Sequence, residues 1–160
     1  MKKALFLAAL VSFAAIFTSC NKEEEIVNVK FKTEGTIKFI VRGYSIGTTG
    51  TSPIPDAIKN GNSVAVSGYQ IVLTDGTSYT TDAQGYASIT LPAGTYHYKA
   101  VKPAGYYWMT DLDVDYEYGM GGIVYTYKLK PTPSSADDLF GDSFTITSGT
   151  YHEEIVQLIK

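Results

Sequence analysis

Apolar and polar residues alternate at a period of two along most of this chain, and turn-forming pairs interrupt the alternation every eight to twelve positions. Together these leave room for short strands layered as a sandwich or rolled as a barrel, and little room for long helices. Ile37, Phe39 and Val41 alternate with Thr36, Lys38 and Ile40, so a first strand with one buried face is expected over residues 27–42, with a break at Gly35. Residues 63–66 and 69–74 continue the pattern up to Asp75-Gly76, a strong hairpin signal. Residues 79–81 lead into Asp82-Ala83-Gln84-Gly85, where Asp caps its own turn and Gly takes a positive φ, and a second hairpin is expected there. Strands follow over 86–91 and 96–101, separated by Pro92-Ala93-Gly94, the latter with Tyr96, Tyr98 and Ala100 on one side and His97, Lys99 and Val101 on the other. Residues 108–118 alternate again, Gly119-Met120-Gly121-Gly122 turns, and 123–130 return. A polar Pro/Ser/Asp connection over 131–142 precedes the last strands at 143–147 and 151–159. The expected fold is all-β, an antiparallel sandwich of seven to eight strands, in one domain over residues 29–160. The long Gly-, Pro- and Thr-rich stretch 43–62 is either a functional loop or an excursion packed by Ile54, Pro55 and Ile58.

Composition removes several function classes. With 13 basic and 16 acidic side chains the chain lacks the basic excess of a nucleic-acid binder. One cysteine and two histidines exclude disulfide frameworks, Cys/His zinc sites and most histidine-dependent catalysis. His97 and His152 have no serine or cysteine nucleophile set in a recognisable elbow, so no catalytic residue is assigned and no enzyme activity is expected.

The amino terminus carries an address. Lys2 and Lys3 precede an uncharged apolar stretch over 4–17, too short for a membrane span of about 20 residues and suited to a signal peptide over 1–19. Phe17-Thr18-Ser19-Cys20 resembles the lipobox of bacterial lipoproteins, with Phe17 where Leu is usual. The resemblance implies cleavage before Cys20, a diacylglycerol on its sulfur and an acylated amine, with palmitate among the acyl chains. Several chains at about 0.8 kcal/mol per buried methylene anchor stably where one does not. Without Lys2 and Lys3 the mature chain has 11 basic and 16 acidic residues, a net of −5, and should stand off an anionic lipid surface. The tether over 20–28 holds Asn21-Lys22-Glu23-Glu24-Glu25, which resembles the surface-export signal of outer-membrane lipoproteins in certain Gram-negative bacteria. An outer-membrane protein facing outwards is the expected location.

Four stretches carry a second resemblance: Val66-Ser67-Gly68-Tyr69-Gln70-Ile71-Val72-Leu73, Thr81-Asp82-Ala83-Gln84-Gly85-Tyr86, Leu91-Pro92-Ala93-Gly94-Thr95-Tyr96 and Lys102-Pro103-Ala104-Gly105-Tyr106. Over residues 35–130 the chain resembles the prealbumin-like, Ig-like sandwiches, and within them carboxypeptidase regulatory-like domains and the B-type repeats of surface adhesins. Turn chemistry of this kind specifies fold much better than function. Some adhesin repeats of that group close a Lys–Asn isopeptide bond promoted by a buried Glu four residues after the tyrosine that is Tyr96 here. Ala100 holds that place, so neither Lys30 nor Lys38 is expected to form one.

Two constellations are candidate sites. Asp111, Asp113, Asp115 and Glu117 alternate with Leu112, Val114, Tyr116 and Tyr118, which on one strand puts four carboxylates on one face: a candidate Ca²⁺ ladder, or the wet side of an edge strand. The EF-hand pattern fails, since Tyr116 stands at the obligatory Gly and Gly122 at the bidentate acid. Tyr106, Tyr107 and Trp108 follow a turn in a row and cannot all point inwards, and aromatic faces at loop ends stack on sugar rings and protein partners. Tyr96, after Leu-Pro-Ala-Gly-Thr, reads as a tyrosine corner. The expected function is a lipid-anchored, non-enzymatic surface module for adhesion or structure, binding an unidentified protein; the alternative is an accessory glycan-binding lipoprotein of a polysaccharide-uptake system.

Overall fold

A computed structural model of the chain describes residues 33–130 and 141–160. The signal peptide, Cys20, the acidic tether, Lys30 and the start of the first expected strand lie outside the described residues, as does most of the 131–142 connection.

The expected β-sandwich is present, built from two main sheets. The long strand β1 (Glu34–Tyr44) organises the first. Its Ile37, Phe39 and Val41 are buried, as the alternation requires. β2 (Thr49–Gly50), the one-turn helix α1 (Asp56–Lys59) and β3 (Ser63–Ala65) follow. Next come β4 (Gln70–Leu73), β5 (Ser78–Thr80), β6 (Tyr86–Pro92) and β7 (Gly94–Val101), and then β8 (Tyr107–Trp108), β9 (Leu112–Gly119), β10 (Gly122–Leu129), β11 (Asp142–Ile146) and β12 (Tyr151–Ile159). One edge of β1 pairs antiparallel with β6 and, further along, with β3; its other edge pairs with β12, and β12 with β8. The second sheet runs β11-β7-β4-β5. Phe39, Ile71, Ile89, Leu158, Tyr98 and Phe144 meet between the sheets.

Three expectations need correcting. First, β1 and β12 run parallel, Thr36 opposite Tyr151 through Tyr44 opposite Ile159, so the sheet is mixed rather than antiparallel. The two strands are far apart in the chain, so no hairpin forces them antiparallel. Second, Asp82-Ala83-Gln84-Gly85 does not close a hairpin: β5 and β6 belong to different sheets. Its turn chemistry is as expected, with Gly85 at φ +77° and Asp82 Oδ1 accepting the N–H of Gln84 and of Tyr86, both at 2.9 Å. Third, twelve strands occur among the described residues rather than seven or eight, because the chain also pairs in short pieces such as two-residue β2 and β8, too short for alternation to mark, and β2, β10 and β9 form a separate three-stranded sheet.

Turn positions read correctly elsewhere. Asp75-Gly76 joins β4 to β5, with Gly76 at φ +86° and Asp75 Oδ1 accepting the Thr77 N–H at 2.8 Å. The Tyr96 hydroxyl donates to the Pro92 carbonyl at 2.9 Å, tying β7 back to the end of β6 as a tyrosine corner does. The 43–62 stretch is an excursion that supplies β2 and α1. Pro55 is buried and Ile58 half-buried, whereas Ile54 is exposed. Buried Thr81 is fully used: its hydroxyl donates to Val66 O at 2.7 Å and accepts the Tyr69 N–H at 3.0 Å, joining the segments before and after the β4–β5 hairpin.

Candidate functional site

Tyr106, Tyr107 and Trp108 do not form an exposed platform. All three are half-buried, and Tyr106 and Trp108 pack against the core. The Tyr106 ring lies over Gly43, where an added Cβ would come within 2.6 Å of it. Trp108 meets Tyr69 edge to face at 6.1 Å between centroids, with the Lys102 ammonium 5.9 Å from its ring. Tyr107 stands opposite Ile159 at the short β8–β12 pairing. Trp108 also lines a cavity of about 240 Å³ with Met109, Asp142 and Gln157. The aromatic surplus near the Pro103 turn is absorbed by packing because β8 finds a partner in β12.

The carboxylate ladder is also shorter than expected. β9 begins at Leu112, and Asp111 lies in the preceding 3-10 turn, fully buried, with its Oδ2 accepting the Trp108 N–H at 3.1 Å. Asp113, Asp115 and Glu117 do share a face, and the register of β10 sets cations beside two of them. Lys128 Nζ lies 3.4 Å from Asp115, and Lys130 Nζ lies 3.9 Å from Asp113. Among the described residues no group of three or more His, Cys, Asp or Glu is close enough to hold a metal ion.

The feature missed in the sequence is the other face of the same hairpin. Opposite residues of an antiparallel pair project to the same side. The register sets Tyr118 against Ile123, Tyr116 against Tyr125, Val114 against Tyr127 and Leu112 against Leu129, so one face carries eight apolar or aromatic side chains. The 43–62 excursion covers the base of that face: Gly50 pairs with Tyr125 and lies against the Tyr127 ring, and the Tyr127 hydroxyl donates to the Ser52 carbonyl. The outer part is open. Tyr118 is 79% exposed and Tyr116 60%, with Val114, Ile123 and the tip residue Met120 exposed beside them. Tyr116 meets Tyr118 edge to face at 5.8 Å and leans on Tyr125 at 6.2 Å, so the rings are held by one another. The signal was available: two alternating runs flank Gly119-Met120-Gly121-Gly122, and pairing them outward from that turn matches ring to ring.

Within the sandwich, β7 places Tyr98 among Phe39 at 5.7 Å and Phe144 at 5.6 Å. Burial, with the Asp142 and Glu154 carboxylates nearby, pushes its phenol up to about 12. Folding thus raises this pKa, so the stabilisation is intact below pH 10 and is lost as pH climbs towards 12. A spectrophotometric phenolate titration should show one tyrosine ionising late, together with unfolding, and Tyr98→Phe should remove that step. A Tyr98→Phe curve matching the parent would refute the assignment.

No family model matches the sequence, and no curated protein matches it. Among solved structures, the chain is similar to GBS52, the minor pilin of the Gram-positive pathogen Streptococcus agalactiae, at 12% identity over 81% of this chain and 46% of that one, with a TM-score of 0.40. It is also similar to the Bacillus anthracis TIE protein, at 16% identity over 80% of this chain and 17% of that one, with a TM-score of 0.39. The chain therefore spans less than half the length of either.

Proposed function

We propose that this chain is a non-enzymatic, lipid-anchored protein of the outer cell surface, whose sandwich serves as an adhesion or structural module and whose β9–β10 hairpin contacts a protein partner. The observation that carries the contact surface is the open aromatic face of Val114, Tyr116, Tyr118 and Ile123. Contiguous apolar patches rimmed by charge mark interaction sites, and tyrosine is enriched in them. The anchor rests on Cys20 and the signal peptide before it, and the acidic tether supports outward display.

The two parts are tested separately. Cys20→Ala should abolish uptake of labelled palmitate and release the protein from the membrane fraction with its thermal stability unchanged. Continued labelling and membrane retention would overturn the anchor. The double substitution Tyr116→Ser with Tyr118→Ser removes exposed rings, which costs little stability. It should lower adhesion of intact cells several-fold at equal surface level and equal melting temperature. Unchanged adhesion would overturn the contact surface.

A further inference from the structure

β9 is the free edge of its sheet: it pairs with β10, and among the described residues no strand pairs with its other side. Two hydrogen bonds settle which of its main-chain groups are left over. Tyr127 N–H donates to Thr48 O, away from β9, and Lys130 N–H donates to Asp111 O, so along β10 the odd-numbered residues turn outwards and the even-numbered ones turn to β9. Their partners there are the odd-numbered Asp113, Asp115 and Glu117. Val114, Tyr116 and Tyr118 therefore turn their N–H and C=O groups to the open side. They are also the residues whose side chains make the open aromatic face. An edge strand of eight residues, apolar along one face, is a template for pairing with another chain.

The acidic face decides which strand fits. Asp115 and Asp113 are already matched by Lys128 and Lys130 within the hairpin, while Glu117, opposite Val124, has no cation beside it among the described residues. A like strand therefore meets one open carboxylate rather than three. Because side chains alternate, two copies of β9 pair antiparallel with apolar residues opposite apolar ones only in registers that differ by two. With Tyr116 opposite Tyr118 of the second copy, Asp115 to Gly119 of each strand pair, and the facing tyrosines exchange main-chain hydrogen bonds. Asp115 then falls opposite Gly119, and only Glu117 meets its like, at the two-fold axis. More overlap sets acid against acid, beginning with Asp115 against Glu117 on both sides of the axis, and like charges directly opposite are destabilising. Less overlap leaves only Glu117 to Gly119 paired.

We infer that β9 pairs antiparallel with β9 of a second copy of this chain, about a two-fold axis at Glu117, joining the two three-stranded sheets into one and merging their open aromatic faces. Main-chain hydrogen bonds to a sheet edge supply affinity in this mode, and the alternating side chains fix the register. Such a contact is isologous and closes on itself, so it makes a pair rather than a fibre. The inference rests on the hairpin being the contact surface proposed above, and it names the partner as the chain itself.

The test places a thiol on the axis. Directly opposite residues of a non-hydrogen-bonded antiparallel pair have Cα atoms about 4.5 Å apart, within disulfide reach. Full-length Glu117→Cys, displayed on intact cells and oxidised with copper–phenanthroline, should run mainly as a disulfide-linked dimer. Asp113→Cys and Val124→Cys lie on the same face but off the axis, and should give at most about a tenth as much. Cys20 is common to all three variants, so only position differs. Adding Tyr116→Pro, which removes an amide on the open edge where a strand tolerates proline, should lower the Glu117→Cys dimer severalfold. Glu117→Gln removes the like-charge meeting, and differently labelled copies of the full chain in a mild detergent should then associate several-fold more tightly than the parent, read by energy transfer. Absence of a dimer, equal crosslinking at all three positions, or an unchanged association of Glu117→Gln would each overturn the pairing. Should adhesion fall with the Tyr116→Ser and Tyr118→Ser pair while Glu117→Cys stays monomeric, the contact surface stands, its partner is another protein, and self-pairing alone is overturned. A Glu117→Cys dimer with adhesion indifferent to the serine pair supports self-pairing and overturns the adhesive contact instead.

Discussion

Phe39→Ala is expected to lower stability by about 3–5 kcal/mol, the range for truncating a fully buried aromatic residue. Phe39 has no exposed surface and lies on β1, the strand that pairs with β6, β3 and β12 at once. Its ring meets Tyr98 and Phe144 edge to face, at 5.7 and 5.8 Å, each contact contributing about 0.5–1.5 kcal/mol beyond area burial. The cavity left by alanine cannot be filled cheaply, because the surrounding groups are themselves strands of two sheets held by their ladders. Against a typical total of about 5–15 kcal/mol, the loss would leave a measurable unfolded fraction. Urea denaturation should show the midpoint falling sharply with an unchanged slope. A loss below about 1.5 kcal/mol would mean that Tyr98 or Phe144 moves into the space, and the rigid aromatic centre described here would be wrong.

That centre was legible in the sequence one strand at a time. Ile37, Phe39 and Val41 announced a buried face because side chains alternate strictly along a strand. Gly76 and Gly85 announced turns because a positive φ is cheap only for glycine. What alternation does not encode is the neighbour. Nothing local tells β12 to lie parallel to β1, or sends β5 and β6 to different sheets after a turn that looks like a hairpin. Those choices come from burying both apolar faces at once, which is a property of the whole chain.

The candidate site failed in the same way. Tyr106, Tyr107 and Trp108 look surplus in the sequence because three aromatic residues in a row cannot all point inwards along one regular strand, whereas a 3-10 turn at Met109–Asp111 separates β8 from β9 and lets Tyr106 and Trp108 pack. Asp111 left the acidic ladder for the same reason: a residue in that turn is free of the period-two rule, and its carboxylate is used on the Trp108 amide. On β9 the sequence shows two faces of equal regularity, one acidic and one aromatic. Only the strand register reveals that Lys128 and Lys130 neutralise much of the first while the second stays open.

Gly85→Ala should cost about 2–4 kcal/mol, far more than a surface turn residue ordinarily carries. Gly85 sits at φ +77°, where an L-residue pays roughly 1–2 kcal/mol. An added Cβ would also stand 2.6 Å from the Val41 carbonyl oxygen and 3.0 Å from the Val66 nitrogen. Those two atoms form a hydrogen bond of 3.1 Å, and the Gly85 carbonyl itself accepts the Val41 N–H at 2.8 Å. The methyl group would therefore wedge the turn away from β1 at the place where its pairing passes from β6 to β3, and a lost backbone hydrogen bond adds about 1 kcal/mol. Gly76→Ala is the control. Gly76 has φ +86° but nothing within 4 Å of the added Cβ, so it should show the conformational cost alone. Chemical denaturation of both variants isolates the steric part as their difference, expected at about 1–2 kcal/mol. A difference near zero would show that the Val41–Val66 bond yields to a methyl group, and that the close approach of the turn to β1 is not what requires glycine there.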